Sequence, residues 1–395
     1  MDRLHNPFTP GAGALPPELA GRAQVIEDGQ VLAGRTLLGR YEKSLLLIGL
    51  RGVGKTVLLK HLADEAGKNG VIPIQLEVRG TKGDLEELLL RLKDALYLLD
   101  FSTKVKSGVK YAFAVLRNFV RAFAVNVGDV GLSIEVAQGV AATGNMELDL
   151  SEVLKACARA AKESERAIGL YIDELQGLDI EAMRGIIVAL HHAAQDSLPI
   201  YLVGSGLPSI RSLVGKSKTY AERMFNYSEI GALSEADAEA AVANPMNDNG
   251  VRMEAAAVAE VFRITRGYPY FLQEYGYQLW QAVDVPQITR ETVLELAKAV
   301  EARLDGNFFD VRFDRVSNAE RAFLRVMADL ETDGVVPMAE ISKKMGRTAA
   351  ALSPVRAALI KKGMLYSPQH GEIAFTVPMF GDYMKRAMPT KEGGR

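Results

Sequence analysis

One cysteine in 395 residues excludes an internal disulfide and fits a reducing compartment. That residue, Cys157, sits in the helical pattern LSEVLKACARAAKES and reads as a small packing group rather than a nucleophile. Charge of one sign is also missing: 47 Lys and Arg stand against 49 Asp and Glu, a net charge of −2. No global field draws the chain to nucleic acid or membrane, and any basic footprint has to be local. No apolar run reaches the roughly 18 residues that would cross a bilayer. The N-terminal MDRLHNPFTPGAGALPPELAGR has prolines and glycines where a secretion signal needs an apolar segment. A cytoplasmic protein is the expectation. Adjacent His191 and His192 diverge by about 100° on a helix, which suits a metal badly, and they receive no ligand role. The length exceeds what one compact core holds and predicts two or three domains.

What is present starts at residues 44–62, SLLLIGLRGVGKTVLLKHL: a buried strand, a glycine-rich turn and a helix start. Gly49 to Thr56 fit G-x-x-x-x-G-K-S/T, the P-loop. Gly49, Gly52 and Gly54 let successive backbone N–H groups, with those of Val53 and Val57 at the helix start, wrap a phosphate at the positive end of the helix dipole. Lys55 belongs on the outer phosphates, and Thr56 offers a hydroxyl to Mg²⁺, a cation that prefers hard oxygen ligands. The alternative, a glycine-rich turn with a surface lysine, is weakened by Leu45–Ile48 before it and by helically spaced Val57, Leu58 and Leu62 after it.

A second chemical stretch is AIGLYIDEL, 167–175, in which an apolar run ends in two carboxylates. At a strand's C-terminal edge Asp173 can hold a Mg²⁺ shell and Glu174 can take a proton from an attacking water. A pair of N-cap acids is the structural alternative. LPIYLVGSG, 198–206, is another buried strand; Ser205 at its tip either senses a terminal phosphate or starts the following turn.

The chain around these motifs reads in order. Residues 1–20 are an N-terminal extension draped over the first domain, and Val25–Leu38 are helical. VIPIQLEV, 71–78, is a strand and DLEELLLRLKDALYLL a helix, so alternating elements predict a parallel sheet covered on both faces. Residues 101–147 break the alternation as an insertion, a basic amphipathic helix followed by two short strands around Gly128–Gly131. That helix either meets an anionic surface or packs with one solvated face, and the second reading ranks first. A last strand lies near Phe225–Ile230, and Ser234 caps a helix with Asp237 three positions on. From there to about 304 every segment reads helical, with Pro269 opening an aromatic-rich helix in TRGYPYFLQEYG. The tail reads helix, helix, helix and two-stranded wing, the winged-helix order. Its 13 Lys and Arg against 9 Asp and Glu from 314 to 395, with Lys343, Lys344, Arg347, Arg356, Lys361 and Lys362 on the second and third helices, permit duplex DNA contact or a solvated face.

GLRGVGKT and LYIDE, followed by the Ser-tipped strand, the helical stretch and the winged-helix order, make the chain resemble an AAA+ ATPase. GYPYFLQEYG and SPVRAALIKKGMLYSPQHGEIAFTVP are similar to the bacterial and archaeal branch near the origin-recognition initiators and STAND proteins. The resemblance implies an α/β P-loop domain over 21–232, an all-helical lid over 233–310 and a winged helix over 314–390. It implies ATP and Mg²⁺ as ligands, with Lys55 on the β/γ-phosphates, Thr56 and Asp173 on Mg²⁺, Glu174 as base and Ser205 as first sensor. Gly21 and Arg22 of LAGR would line the adenine pocket. Arg223, with Arg211 close by, would act on ATP, often in a neighbouring subunit of a homo-oligomer. Gly267 and Pro269 would be the lid's Gly-x-Pro, standing where relatives carry a second sensor arginine, with Arg266 adjacent. The function this implies is an ATP-hydrolysing switch that acts on DNA. A non-hydrolysing DNA-binding regulator and a scaffold with a protein-binding winged helix are the alternatives.

Overall fold

Apolar runs bounded by turn residues become five parallel strands, β1 (Ser44–Ile48), β2 (Val71–Glu77), β3 (Ala167–Asp173), β4 (Ile200–Gly206) and β5 (Phe225–Glu229). The computed structural model describes residues 2–11, 13–100, 107–125, 142–282, 287–332 and 334–389. The strands pair in the order β2-β3-β4-β1-β5. The three central ones are buried along their whole length, while the edge strands β2 and β5 keep exposed positions. A parallel sheet covered on both faces produces that pattern. Leu47 stands beside Ser205, and Ile172 beside Gly204. The C-terminal ends of β1, β3 and β4 therefore form one edge, the side on which open α/β sheets bind ligands.

Successive residues of β1 face opposite sides. Leu45 and Leu47 join the core of α1 (Ala23–Leu37) and α2 (Lys55–Lys68). Leu46 and Ile48 join that of α3 (Gly83–Asp100), α4 (Ser107–Ala122), α5 (Met146–Glu163), α6 (Ile180–Asp196) and α7 (Ile210–Ser217). The basic amphipathic helix is α4, and it is packed: Phe113, Leu116 and Phe119 are buried in the same core as α3 and α5. The expected 101–147 insertion thus contributes a core helix, and its last residues already belong to α5. The two strands expected around Gly128–Gly131 lie outside the described residues.

Beyond the sheet come α8 (Glu235–Asp248), α9 (Ala255–Thr265), α10 (Pro269–Ala282) and α11 (Arg290–Leu304). Ser234 caps α8 as expected, its hydroxyl accepting the Asp237 N–H at 3.2 Å. This part is not all-helical. β6 (Arg252–Met253) and β7 (Gln287–Ile288) form a short parallel ladder, and two-residue strands are too short for periodicity to register. The first residues of the N-terminal extension pack on α10, and the following ones reach the P-loop. Phe8 is buried where Gly276 leaves no Cβ in the way, and the Trp280 indole donates to the Asp2 carbonyl at 2.8 Å.

The chain leaves α11 through a π turn over Asp305–Phe309 and continues as α12 (Asp310–Phe313). Then follow α13 (Asn318–Leu330), β8 (Val335–Pro337), α14 (Met338–Met345), α15 (Ala349–Lys361), β9 (Leu365–Tyr366), β10 (Glu372–Phe375) and α16 (Phe380–Ala387). Three antiparallel strands pair in the order β8-β10-β9, one more than the expected hairpin, because β8 before α14 adds to it. Helix α16, absent from the sequence reading, buries Phe380, Tyr383 and Met384. An aromatic chain ties the layers together: Tyr270 stacks on Phe308 at 4.6 Å, Phe308 meets Phe309 at 5.1 Å, and Phe309 stacks on Tyr383 at 5.1 Å. Such pairs add about 0.5–1.5 kcal/mol each beyond the area they bury.

Candidate functional site

The strand edge opens on a cavity of about 490 Å³. The P-loop forms its floor. Gly52 and Gly54 have φ of 85° and 91°, a region that side chains resist. Gly54 leads into α2 without a side-chain cap, so the first amides of the helix face the loop, the arrangement that binds anions. Lys55 is 6% exposed and its ammonium donates to the Leu50 carbonyl at 2.7 Å. Burial pushes its pKa down to about 8, against the pull of Glu174 and Asp173.

Asp173 is held from three directions. Thr56 Oγ1 donates to Oδ2 at 2.5 Å, while Ser205 Oγ and the Glu174 N–H, the latter at 2.9 Å, donate to Oδ1. A hydroxyl and a carboxylate in contact on the cavity wall are the hard-oxygen set that Mg²⁺ takes alongside phosphate and water. Among the described residues no cluster of three or more His, Cys, Asp or Glu could hold a metal alone. Ser205 is fully buried and lies off the cavity lining; its hydroxyl is spent on Asp173. Glu174 does line the cavity, in a left-handed conformation with φ of 51°. Its carboxylate accepts from the Gln176 amide, and Gln176 Oε1 accepts the Leu207 N–H at 3.0 Å. Sequence reading missed Gln176, which ties Glu174 to the end of β4.

Of the residues expected around a nucleotide, Gly52, Val53, Gly54, Lys55, Thr56, Val57, Arg22 and Pro269 line the cavity, and Gly49 and Gly21 do not. A Cβ on Gly49 would run into the Ile230 carbonyl, and one on Gly21 would come within 2.8 Å of Asp237, so both glycines serve close packing. Arg22 donates to the Gly231 carbonyl at 2.7 Å and to that of Val53 at 3.3 Å, clamping the loop. Thr9, Pro10, Gly11, Gly13 and Ala14 close another side.

Arg223, Arg211 and Arg266 lie off the cavity of their own chain. Arg223 is exposed in a 3₁₀ turn, away from the cavity. Arg211 pairs with Glu229 at 2.8 Å and Arg266 with Asp382 at 3.2 Å; both line a separate cleft behind the P-loop. Those that reach the cavity, besides Arg22, are Arg51 and Arg312. Arg51 occupies a variable position of the loop motif, and nothing in the sequence around Arg312 announces it.

A family model described as AAA ATPase domain matches residues 18–203, the span of the P-loop, Asp173 and Glu174. That span carries an AAA ATPase domain. Residues 306–384 match a domain of unknown function (DUF8462). No curated protein matches the sequence. Among solved structures, the Walker-type ATPase of Pyrococcus abyssi is similar in fold, with a TM-score of 0.53 and 16% identity over 91% of this chain and 95% of that one. The Aeropyrum pernix ORC2 protein gives 0.49 with 16% identity, covering 96% and 97%. Thermotoga maritima RuvB, a Holliday junction branch migration motor, gives 0.43 with 15% identity, covering 93% and 95%. The first likeness concerns the fold alone, and the other two are too loose to argue from. Among the described residues no helix is long and apolar enough to cross a membrane.

Proposed function

We propose that the chain binds and hydrolyses ATP, as a switch whose nucleotide state is passed to its C-terminal module. The reading rests on one observation: Lys55, Thr56, Asp173 and Glu174 line a single cavity although they come from two distant stretches. Lys55 would leave the Leu50 carbonyl for the outer phosphates, and α2 would present its N-terminal amides to them. Thr56 and Asp173 would hold Mg²⁺, which supplies charge neutralisation on the phosphates. Glu174 would accept the proton of the attacking water once its carboxylate leaves the Gln176 amide. Gly-x-Pro at 267–269 and GYPYFLQEYG support the origin-recognition-like branch. The division into 21–232, a lid over 233–310 and a winged helix over 314–390 belongs to this reading, and the helix, strand, helix, helix, hairpin order of 318–375 supports its last part.

For the module's target, the outward face of α15 bears on the choice. Ala349, Ala350, Ala351, Ser353, Pro354, Ala357 and Ile360 are exposed there. Lys344 and Lys362 are engaged by Asp329 and Glu320. A small, largely uncharged face favours a protein partner, while exposed Lys343, Arg347 and Lys361 support duplex DNA. Steady-state ATP turnover with and without duplex DNA at low salt tests both parts. Stimulation by DNA supports the DNA reading, turnover indifferent to DNA supports a protein target, and no turnover under any condition overturns hydrolysis.

A further inference from the structure

Arg51 and Arg312 line the same cavity from different parts of the chain, one from the P-loop and one from α12, which leads into the C-terminal module within the matched span 306–384. Among the described residues neither is ion-paired to a carboxylate, whereas Arg211, Arg266, Arg303 and Arg386 each are. The Arg312 guanidinium lies 3.9 Å over the Phe308 ring and donates to the Phe308 carbonyl at 2.5 Å. Those contacts fix its plane and leave its charge without a counter-ion. Burial lowers its pKa, and the charge of Arg51 lowers it further. Arg51 also acts on Lys55. Three cationic groups, Lys55, Arg51 and Arg312, thus line the same cavity. A planar guanidinium binds two phosphate oxygens at once, so a polyphosphate is the anion this cavity fits.

We propose that Arg312, together with Arg51, is the terminal-phosphate site of this cavity, so that the C-terminal module distinguishes a bound triphosphate from a diphosphate within the same chain. This rests on the nucleotide reading above and deepens it. Lys55 would reach the β- and γ-phosphates from the start of α2, and the two arginines add a guanidinium fork to the outermost one. The module already grips the loop at that point. The Arg51 N–H donates to the Thr376 carbonyl at 3.1 Å, and Arg51 lies against Gly363, where a Cβ would come within 2.5 Å of its guanidinium. Phe308 stacks on Tyr270, whose N–H donates to the Gly52 carbonyl at 3.2 Å. A phosphate that draws Arg312 therefore pulls on the π turn and on the aromatic chain leading to α16.

The test is equilibrium binding of a fluorescent ADP and of a fluorescent β,γ-imido ATP analogue, with Mg²⁺, to the full chain. Arg312→Ala should weaken the triphosphate analogue about 10- to 100-fold and leave the diphosphate within about 3-fold. Arg312→Lys should fall between, because it keeps the charge and loses the fork; unchanged thermal melting of this variant separates loss of binding from loss of fold. A triphosphate-to-diphosphate affinity ratio equal to the wild type's in both variants overturns the assignment. Lys55→Ala separates the two levels of the reading, since it should lose both nucleotides. If it binds both as well as the wild type, the cavity is not a nucleotide site and the proposal falls with it.

Discussion

The sheet edge and the part of the cavity wall supplied by residues after 300 treat their charged groups differently. At the edge every one is already engaged: Asp173 by Thr56, Ser205 and the Glu174 N–H, Glu174 by Gln176, Lys55 by the Leu50 carbonyl. On the wall supplied by residues after 300, Arg312 has an aromatic ring and a carbonyl but no opposite charge. Satisfied networks are rigid and hold their geometry before a ligand arrives. An uncompensated cation is poised to move toward an anion. In the reading proposed above, the edge performs the chemistry and the wall registers its outcome.

The largest expected effect tests the edge. Glu174→Gln should lower ATP turnover by about 10²- to 10⁴-fold while nucleotide affinity stays near the wild type's. Turnover within a factor of two would remove Glu174 from the role of base. Lys55→Met comes next, with nucleotide affinity down about 100-fold or more. Without ligand the same variant should be more stable than the wild type at pH 7, on the order of 2 kcal/mol, because a desolvated ammonium costs the native state what its lowered pKa reports. The sign follows from linkage. Below pH 8 both native and unfolded chains hold the Lys55 proton and the native state bears the full cost. Between about 8 and the ordinary 10.5 the native chain sheds the proton first, so its stability rises with pH and the gap to Lys55→Met closes. Denaturant melts at pH 7 and pH 10 check this. Nucleotide affinity of the wild type should be flat below pH 8 and decline above it.

Ser205→Ala sharpens the comparison from inside the edge. It frees one oxygen of Asp173, and we expect about 10-fold slower turnover with about 1 kcal/mol lost in stability. Loss of triphosphate selectivity as well would make Ser205 a sensor in its own right. The smallest effect concerns Arg223. It is exposed and off its own cavity, and we expect it to serve a neighbouring copy. A mixture of Arg223→Ala and Lys55→Ala chains should regain a fraction of wild-type turnover, whereas persistent silence would remove the shared site.

Motif residues were legible from spacing because their chemistry is local. The loop conformation, the helix start and Lys55 all lie within eight positions, and backbone sterics alone impose the glycines. The parallel sheet was legible from apolar runs, and the Ser234 cap from one hydroxyl at a helix start. The packing of α4 was open between two readings, since a basic amphipathic helix looks the same in sequence whether its apolar face meets a core or a lipid surface. The ladder of β6 and β7, the third strand β8 and helix α16 were too short or too atypical to announce themselves.

By itself the sequence determined which side chains could touch a phosphate or a cation: Lys55, Thr56, Asp173 and Glu174. Only the tertiary structure decided what stands between and around them. Strand order is a long-range property, and it inserts β4 between β1 and β3, turning Ser205 from a group at the cavity into a support for Asp173. The placement of Arg312 depends on an aromatic chain assembled from α10, the π turn and α16. No local pattern encodes such a meeting, because its energy comes from surfaces far apart along the chain that are buried together only on folding.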